Sequence, residues 1–271
     1  MTASGGSAWR GTMNWVCGIL TALLLIVIAL WVLVEIARRY FHIPYPESER
    51  HWAETVDGFR LALYRRRPEK QLFALPIVLC HGLGANRYDL DWPQCSLARY
   101  LCEAGFDVWV CELRNAGQSD KPRLWNRLSG RYSFDDLEQK DVPAIIGKVL
   151  EVTGAPQLLW TGHSMGGMLA YAYLGRGGDK IAATVAIASP AYFDGYDWAR
   201  PMFGMVKKTS WLPMYNQVFA APLLALCLDF FIPELLRRSA SLENLGRYAA
   251  RRMIVNVAAN VSTPLGRQFV H

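Results

Sequence analysis

Histidine is scarce in this chain. Five occur in 271 residues, at positions 42, 51, 81, 163 and 271, and none stands between His163 and His271. Scattered in this way they form no compact ligand set, and the six cysteines, at 17, 80, 95, 102, 111 and 227, have no close metal-ligand spacing. No metal or organic cofactor is therefore expected. The cysteines also show no pairing pattern. Cys80 and Cys111 fall in strand-like apolar runs and read as buried thiols, in keeping with a reducing compartment. Charge is sparse, at 19% of residues, and the net +6 is spread over short clusters such as Arg65-Arg66-Arg67 and Arg237-Arg238. Without a basic stripe interleaved with aromatics, nucleic acid is excluded as the expected partner, whereas a mildly basic surface suits an anionic membrane. With 52% apolar residues the chain is neither disordered nor fibrous, and its length suits one large α/β domain or a smaller domain with appendages.

Trp15–Val34 is a run of twenty residues without a charge, closed by Glu35, Arg38 and Arg39. Twenty helical residues span about 30 Å, the thickness of a bilayer core. Trp15, Trp31 and Tyr40 are placed to act as interface anchors. A signal peptide would want a basic start, a shorter apolar region and a small-residue cleavage site, and a buried helix would not be so uniformly apolar. A single-pass membrane anchor is expected. Arg38, Arg39 and Arg50 outnumber Arg10, which leans the main domain toward the cytoplasmic side. The expected organisation is a short polar start over 1–12, the anchor over 13–36, a linker over 37–53, an α/β core over 54–189 and a cap over 190–271.

The core is organised around Pro156–Ala170, PQLLWTGHSMGGMLA. A short apolar strand, Leu158–Trp160, runs into Gly162-His163-Ser164-Met165-Gly166, and a run of small and apolar residues suited to a helix follows. This is the pattern of a nucleophile elbow, a serine on a sharp strand-to-helix turn with glycines two positions either side. Gly-x-Ser-x-Gly alone is common in loops, and the strand–turn–helix context is what raises it to a site. Around it the chain alternates. Glu54–Gly58 reads as a hairpin turn leading into Phe59–Tyr64. Leu75–Cys80 is an apolar strand ending at the turn His81-Gly82-Leu83-Gly84. Cys95–Ala104 is a helix closed by Gly105, and Phe106–Leu113 is a strand followed by the loop Arg114–Ser119. A helix occupies 133–152, with Asp135 and Asp136 in its first turn and Gly154 at its end. Ile181–Ser189 is one more strand. Strands apolar on both faces, alternating with helices, predict a mostly parallel sheet covered by helices, with the site at the carboxyl ends where His81, Arg114 and Ser164 fall. From Pro190 on, Phe193–Trp198, Trp211–Ile232 and Leu235–Arg252 read as largely helical cap, whose large apolar side chains would suit a greasy acyl chain.

His81-Gly82-Leu83-Gly84, Arg114–Ser119 and Gly162–Gly166 occur in the order and spacing of the α/β-hydrolases. More narrowly, Val56-Asp57-Gly58-Phe59-Arg60-Leu61, Ala104–Trp109 and Tyr132–Leu137 running into Asp141–Ala144 resemble the acid-lipase branch associated with AB-hydrolases. The resemblance covers 50–190 well and 190–271 loosely. It implies acyl transfer to water through an acyl-serine. Ser164 would attack an ester carbonyl, and the backbone N–H groups of Met165 and Leu83 would hold the oxyanion, each such donor being worth about 3 kcal/mol. By the same resemblance His81 is a loop histidine beside the oxyanion site. His163, adjacent to the nucleophile, should point away from it. Arg114 would organise its loop, and Asp141 would be a solvated helix residue or a salt-bridge partner. Apolar esters and, through the anchor, a bilayer are the implied partners; oligomeric state stays open. Epoxide or haloalkane chemistry fits less well, because those reactions use an aspartate at the elbow.

In this fold the chain order is serine, acid, histidine. After His163 only His271 remains, and the acids after Ser164 include Asp179, Asp194, Asp197, Asp229, Glu234 and Glu243, none in a strand-then-loop setting. In the family, the segment resembling Asn256–His271 precedes the strands that deliver acid and base. The expectation is an incomplete sequence of a longer esterase, with Ile181–Ser189 left as an apolar sheet edge; the alternative is a membrane-tethered binding or scaffold protein without hydrolytic activity. Residues 1–271 alone are expected to hydrolyse essentially nothing. Burst release of nitrophenol from a nitrophenyl ester, lost in Ser164→Ala, would overturn this and restore His271 as a candidate base.

Overall fold

The computed structural model describes residues 5–45, 48–121, 130–192, 214–228 and 246–269, with side chains from Met13 onward. The chain divides into two compact units, 43–218 with 256–271, and 1–42 with 219–255.

The larger unit is built on a six-stranded sheet. Its strands are β1 (Glu49–Glu54), β2 (Arg60–Arg66), β3 (Ile77–Cys80), β4 (Val108–Cys111), β5 (Leu158–His163) and β6 (Ile181–Ile187), in the order β1-β2-β4-β3-β5-β6. The first pairing, β1 with β2, and the next, β2 with β4, are antiparallel, and the remaining three are parallel. The expected hairpin is present: Thr55 N–H donates to Phe59 O across the Asp57-Gly58 turn, where Gly58 adopts φ 83°. Residues 49–53, read as linker, form most of β1, because the alternation that makes β2 supplies them with a partner of matching register.

Side-chain alternation sends neighbouring strand residues to opposite faces. Leu61, Leu63, Trp109, Cys111 and Trp160 pack on one face against α3 (Val142–Thr153) and α4 (Met165–Gly175), through Ile145, Val149 and Leu169. Ala62, Tyr64, Val108 and Val110 pack on the other against α2 (Leu97–Glu103) through Ala98 and Leu101. The outermost strand, β6, has one hydrogen-bonded neighbour among the described residues, and Val185 and Ile187 are exposed on it, at 58% and 38%. The apolar edge expected there is present.

The helix expected over 133–152 is in register but not uniform. Ser133 and Asp136 form a reciprocal capping box, and Gly154 closes the helix in the left-handed conformation at φ 69°. Between Leu137 and Asp141 the helix widens into a π turn, with Val142 N–H donating to Leu137 O, five residues back. Such a bulge is a common mark of a functional constraint, and here it turns Asp141 inward.

The segment 256–269, read as cap, belongs to the core unit. Val261 and Leu265 join the main core cluster, Tyr132 N–H donates to Ser262 Oγ at 3.1 Å, and Val261-Ser262 pair antiparallel with Met214-Tyr215. Helix α7 (Thr263–Gln268) follows. Phe193–Trp198, both ends of Trp211–Ile232 and most of Leu235–Arg252 lie outside the described residues. The parts described from those stretches are mainly helical, as α5 (Gln217–Leu226) and the start of α6 (Arg247–Val257).

The smaller unit contains α1 (Gly5–Phe41), most of α5 and most of α6. Helix α1, at 37 residues, is about 55 Å long at 1.5 Å per residue. Over Met13–Phe41 it is long and apolar enough to cross a membrane, and side chains such as Leu24 and Val27 are exposed along it. Among the described side chains, those of its last turns are packed: Ala37 and Phe41 bury with Ala225 and Val255, and the Phe41 ring lies 5.0 Å from Tyr40 and 6.2 Å from Tyr248.

Ile145 is fully buried between α3 and the sheet. Ile145→Ala is expected to cost about 2–5 kcal/mol, through lost burial and the cavity left behind. A lower urea midpoint at unchanged slope, followed by circular dichroism, checks this.

Candidate active site

The end of β5 delivers Ser164 directly into α4. Its backbone stands at φ 49°, ψ −116°, a region that a residue with a Cβ occupies only when its surroundings impose it. The surroundings do so by closeness. A Cβ on Gly162 would fall 2.1 Å from the Gly166 carbonyl carbon, one on Gly166 would fall 2.3 Å from Cys80 O, and one on Gly167 would fall 2.2 Å from Ser189 Oγ. The first turn of α4 thus lies on the end of β3 with no room for one more carbon. Ser164 N–H donates to Ile187 O at 2.9 Å, and Ser164 O accepts from Gly167 and Met168, so the turn is tied on both sides.

The turn after β3 packs against this elbow. A Cβ at Gly82 would meet His163 Nδ1 at 3.2 Å and Ser164 Cβ at 3.3 Å. Ser164 is half-buried and Met165 is buried, while Leu83 is half-buried beside them. Neither the Leu83 nor the Met165 amide donates a hydrogen bond among the described residues, so both N–H groups are available next to Ser164. Asp89 ties the two loops together: one carboxylate oxygen accepts from Gly82 N–H at 3.0 Å and lies 2.7 Å from His163 Nδ1. Burial pushes the Asp89 carboxyl up, but the bond to His163, its charge and the Gly82 N–H outweigh this and hold it below its ordinary range. The same bond raises His163 above its ordinary value.

His81 is buried, with both ring nitrogens committed to backbone. Nδ1 lies 2.9 Å from Gly82 O, and Nε2 accepts from Leu113 N–H at 3.2 Å. Since Nε2 accepts, the proton sits on Nδ1. Burial lowers the pKa of the ring, which keeps it neutral. It holds the turn in place and has no nitrogen left for Ser164.

Arg114, three residues past the end of β4, is 2% exposed and sits between two carboxylates. Its backbone N–H and Nε donate to Asp141 at 2.9 and 2.8 Å, and Nη1 and Nη2 donate to Asp57 at 2.8 and 3.0 Å. The π turn is what brings Asp141 within reach. Burial pushes Asp141 up to about 6 against the pull of Arg114, so it is ionised at neutral pH. At Asp57 burial is outweighed by Arg114, Thr55 and Lys140, which hold the carboxyl well below its usual value. The hairpin turn, the loop after β4 and α3 are thereby joined through one guanidinium. Beside it lies a cleft of about 250 Å³, counting the part open to solvent, lined by Leu83, Met165, Leu113, Leu137, Val261 and Leu265, with Arg114 and Tyr132 as polar neighbours.

A family model described as the alpha/beta hydrolase fold matches residues 76–251, more than half of the chain. The chain belongs to the alpha/beta hydrolase fold family. Lipases are among its relatives. Lipase lipl-3 of Caenorhabditis elegans is 29% identical over 179 residues, which are 59% of this chain and 44% of that protein. Gastric triacylglycerol lipase of Bos taurus is 32% identical over 165 residues, 54% of this chain and 40% of that protein. The chain therefore spans less than half the length of these curated relatives. Among solved structures, a thermophilic esterase from Thermogutta terrifontis superposes with a TM-score of 0.54 at 19% identity, covering 83% of this chain and 73% of that one, a likeness of fold.

Within this hydrolase fold the residues singled out by sequence do not all converge. Ser164, Met165, Leu83 and His81 come together at the carboxyl ends of β3 and β5. His163 turns its Nδ1 to Asp89. Asp141 is the buried ion-pair partner of Arg114, which decides between the two expected roles. Asp179 is exposed, pairs with Lys180, and precedes β6, so it lies at the opposite end of the sheet from Ser164. His271, Asp194, Asp197, Asp229, Glu234 and Glu243 lie outside the described residues. Asp89 was not legible as a site residue, because nothing local marks an aspartate nine positions beyond a strand end.

Arg114→Met should cost about 3–5 kcal/mol, because it strands the Asp141 carboxylate in the core. The double variant Arg114→Met/Asp141→Asn should recover part of that loss. Urea unfolding of wild type and both variants measures it.

Proposed function

We propose that the whole protein is a serine carboxylic-ester hydrolase of the lipase type, acting on apolar esters at a membrane surface. The observation that carries this is the contact of a strained, half-buried Ser164 with the Gly82–Leu83 turn, two unbonded amides beside it. In this reading the Ser164 hydroxyl attacks the ester carbonyl. The Leu83 and Met165 N–H groups, the latter at the start of α4 where the helix dipole is positive, stabilise the oxyanion that forms. The alcohol then leaves, and water releases the acid from the acyl-serine. The apolar side chains Leu83, Met165 and Leu113 line the cleft where an acyl chain would begin, in line with the lipase names of the relatives. Helix α1 anchors the domain at a bilayer, and Arg38, Arg39 and Arg50 favour the cytoplasmic side. The proposed organisation keeps 13–36 as the anchor and 54–189 as the body of the hydrolase core.

A second reading is a membrane-tethered binding or scaffold protein of the same fold. What favours it is that no histidine bonds Ser164 among the described residues: His81 is spent on the backbone and His163 on Asp89. A fluorophosphonate probe applied to the protein purified from its own cells separates the two. Labelling on the peptide containing Ser164, lost in Ser164→Ala, is expected for the hydrolase; an unlabelled, folded protein would mean the scaffold.

A further inference from the structure

We propose that Asp89 and His163 are a positioning pair, in which one carboxylate oxygen shared by the Gly82 N–H and the His163 ring sets the spacing between Ser164 and the Leu83 amide. This rests on the roles given above to Ser164 and Leu83. The need for such a device follows from the backbone. The turn after β3 contains Gly82 and Gly84, the latter at φ 67°, and glycine turns do not fix their own geometry. The elbow, by contrast, is locked by its close contacts with β3 and β6. Two loops of unequal stiffness keep a fixed separation only if something ties them, and Oδ2 of Asp89 touches both, at 3.0 Å to Gly82 N and 2.7 Å to His163 Nδ1.

Asp89 is itself held. It ends the short 3-10 turn Arg87–Asp89, whose preceding residue Asn86 accepts from Tyr88 N–H and donates to Asn256 O at 2.7 Å. The carboxylate therefore stands on a braced turn, with the glycine turn on one side and the residue before the nucleophile on the other. His163 is on the last position of β5, so a pull on its ring acts on the backbone that carries Ser164. Among the described residues the charged groups facing the pair are few: each faces the other, and His81, neutral, lies beneath Gly82. With His163 raised and Asp89 lowered, the tie is charge-assisted while the ring is protonated. The sign follows: the contribution of the pair is complete below the ordinary histidine value of about 6.5 and declines as pH rises through the higher value of the folded protein.

The test uses the full chain, ¹⁵N-labelled, in lipid nanodiscs, and reads the Gly82 and Leu83 amides and the His163 ring by NMR. In wild type the Gly82 amide and the His163 ring are expected to titrate with one common midpoint. In His163→Phe, which keeps the ring volume and removes the donor, hydrogen exchange at Gly82 should quicken about tenfold or more, as loss of a charge-assisted bond implies. His163→Asn, whose amide nitrogen takes the place of Nδ1, should restore it. A Gly82 amide that ignores the His163 titration, or exchanges equally in wild type and His163→Phe, overturns the proposal. Should His163→Phe fail to fold, the wild-type titration still decides. Fluorophosphonate acylation is read alongside: where wild-type Ser164 reacts, His163→Phe should slow the acylation step at unchanged probe affinity, and an unchanged acylation rate overturns the positioning role. Where wild-type Ser164 does not react, the hydrolase reading fails, while the amide measurements still decide whether the tie exists.

Discussion

The contact on which the rest of the site depends is between backbone and backbone: Gly166, in the first turn of α4, lying on the Cys80 carbonyl at the end of β3. It fixes how close the elbow comes to the turn that follows β3, and with it the positive φ of Ser164. A serine with that backbone costs about 1–3 kcal/mol wherever it is found. Here β3, β5 and β6 hold it from three directions, so the strain is spread over a sheet that cannot yield locally. The glycines at 162, 166 and 167 express one requirement, that two pieces of main chain meet without side chains between them.

Around that contact, the irregular segments are held by buried charge more than by apolar packing. A loop cannot present an apolar stripe, and its amides need acceptors once they leave water. Asp141 serves the Arg114 amide and guanidinium, Asp57 serves the other side of the same guanidinium, and Asp89 serves Gly82 and His163. Each carboxylate joins pieces of chain distant in sequence. The arrangement is specific because a carboxylate accepts along few directions, and costly to disturb because Asp141 and Asp89 are largely dehydrated.

Much of the sheet was legible in the sequence, since uninterrupted apolar runs such as Ile77–Cys80 and Val108–Cys111 have few alternatives as buried strands. The elbow was legible for the same reason that it works, because its glycines are a steric necessity. Three things were not. The strand over 49–53 lies in a stretch whose polar residues follow two prolines, and only its pairing with β2 makes it a strand. The π turn at Leu137–Asp141 leaves no mark in a helical pattern, although one extra residue per turn decides whether Asp141 faces Arg114 or solvent. The return of 256–269 to the core depends on long-range partners, Ser262 with Tyr132 and Ala259 with Gly84, which local pattern does not encode.

Cys80 and Cys111 are paired residues on neighbouring strands at the foot of the site, each with no solvent exposure, whereas Cys95 and Cys227 are exposed. The difference gives the protein an internal clock. An alkylating reagent meets the exposed thiols at once, but reaches the inner pair only when β3 and β4 separate, so their slow modification counts openings of the sheet beneath Ser164. Anything that binds at the mouth of the site and tightens the elbow would register as a lengthening of that interval, with no turnover required.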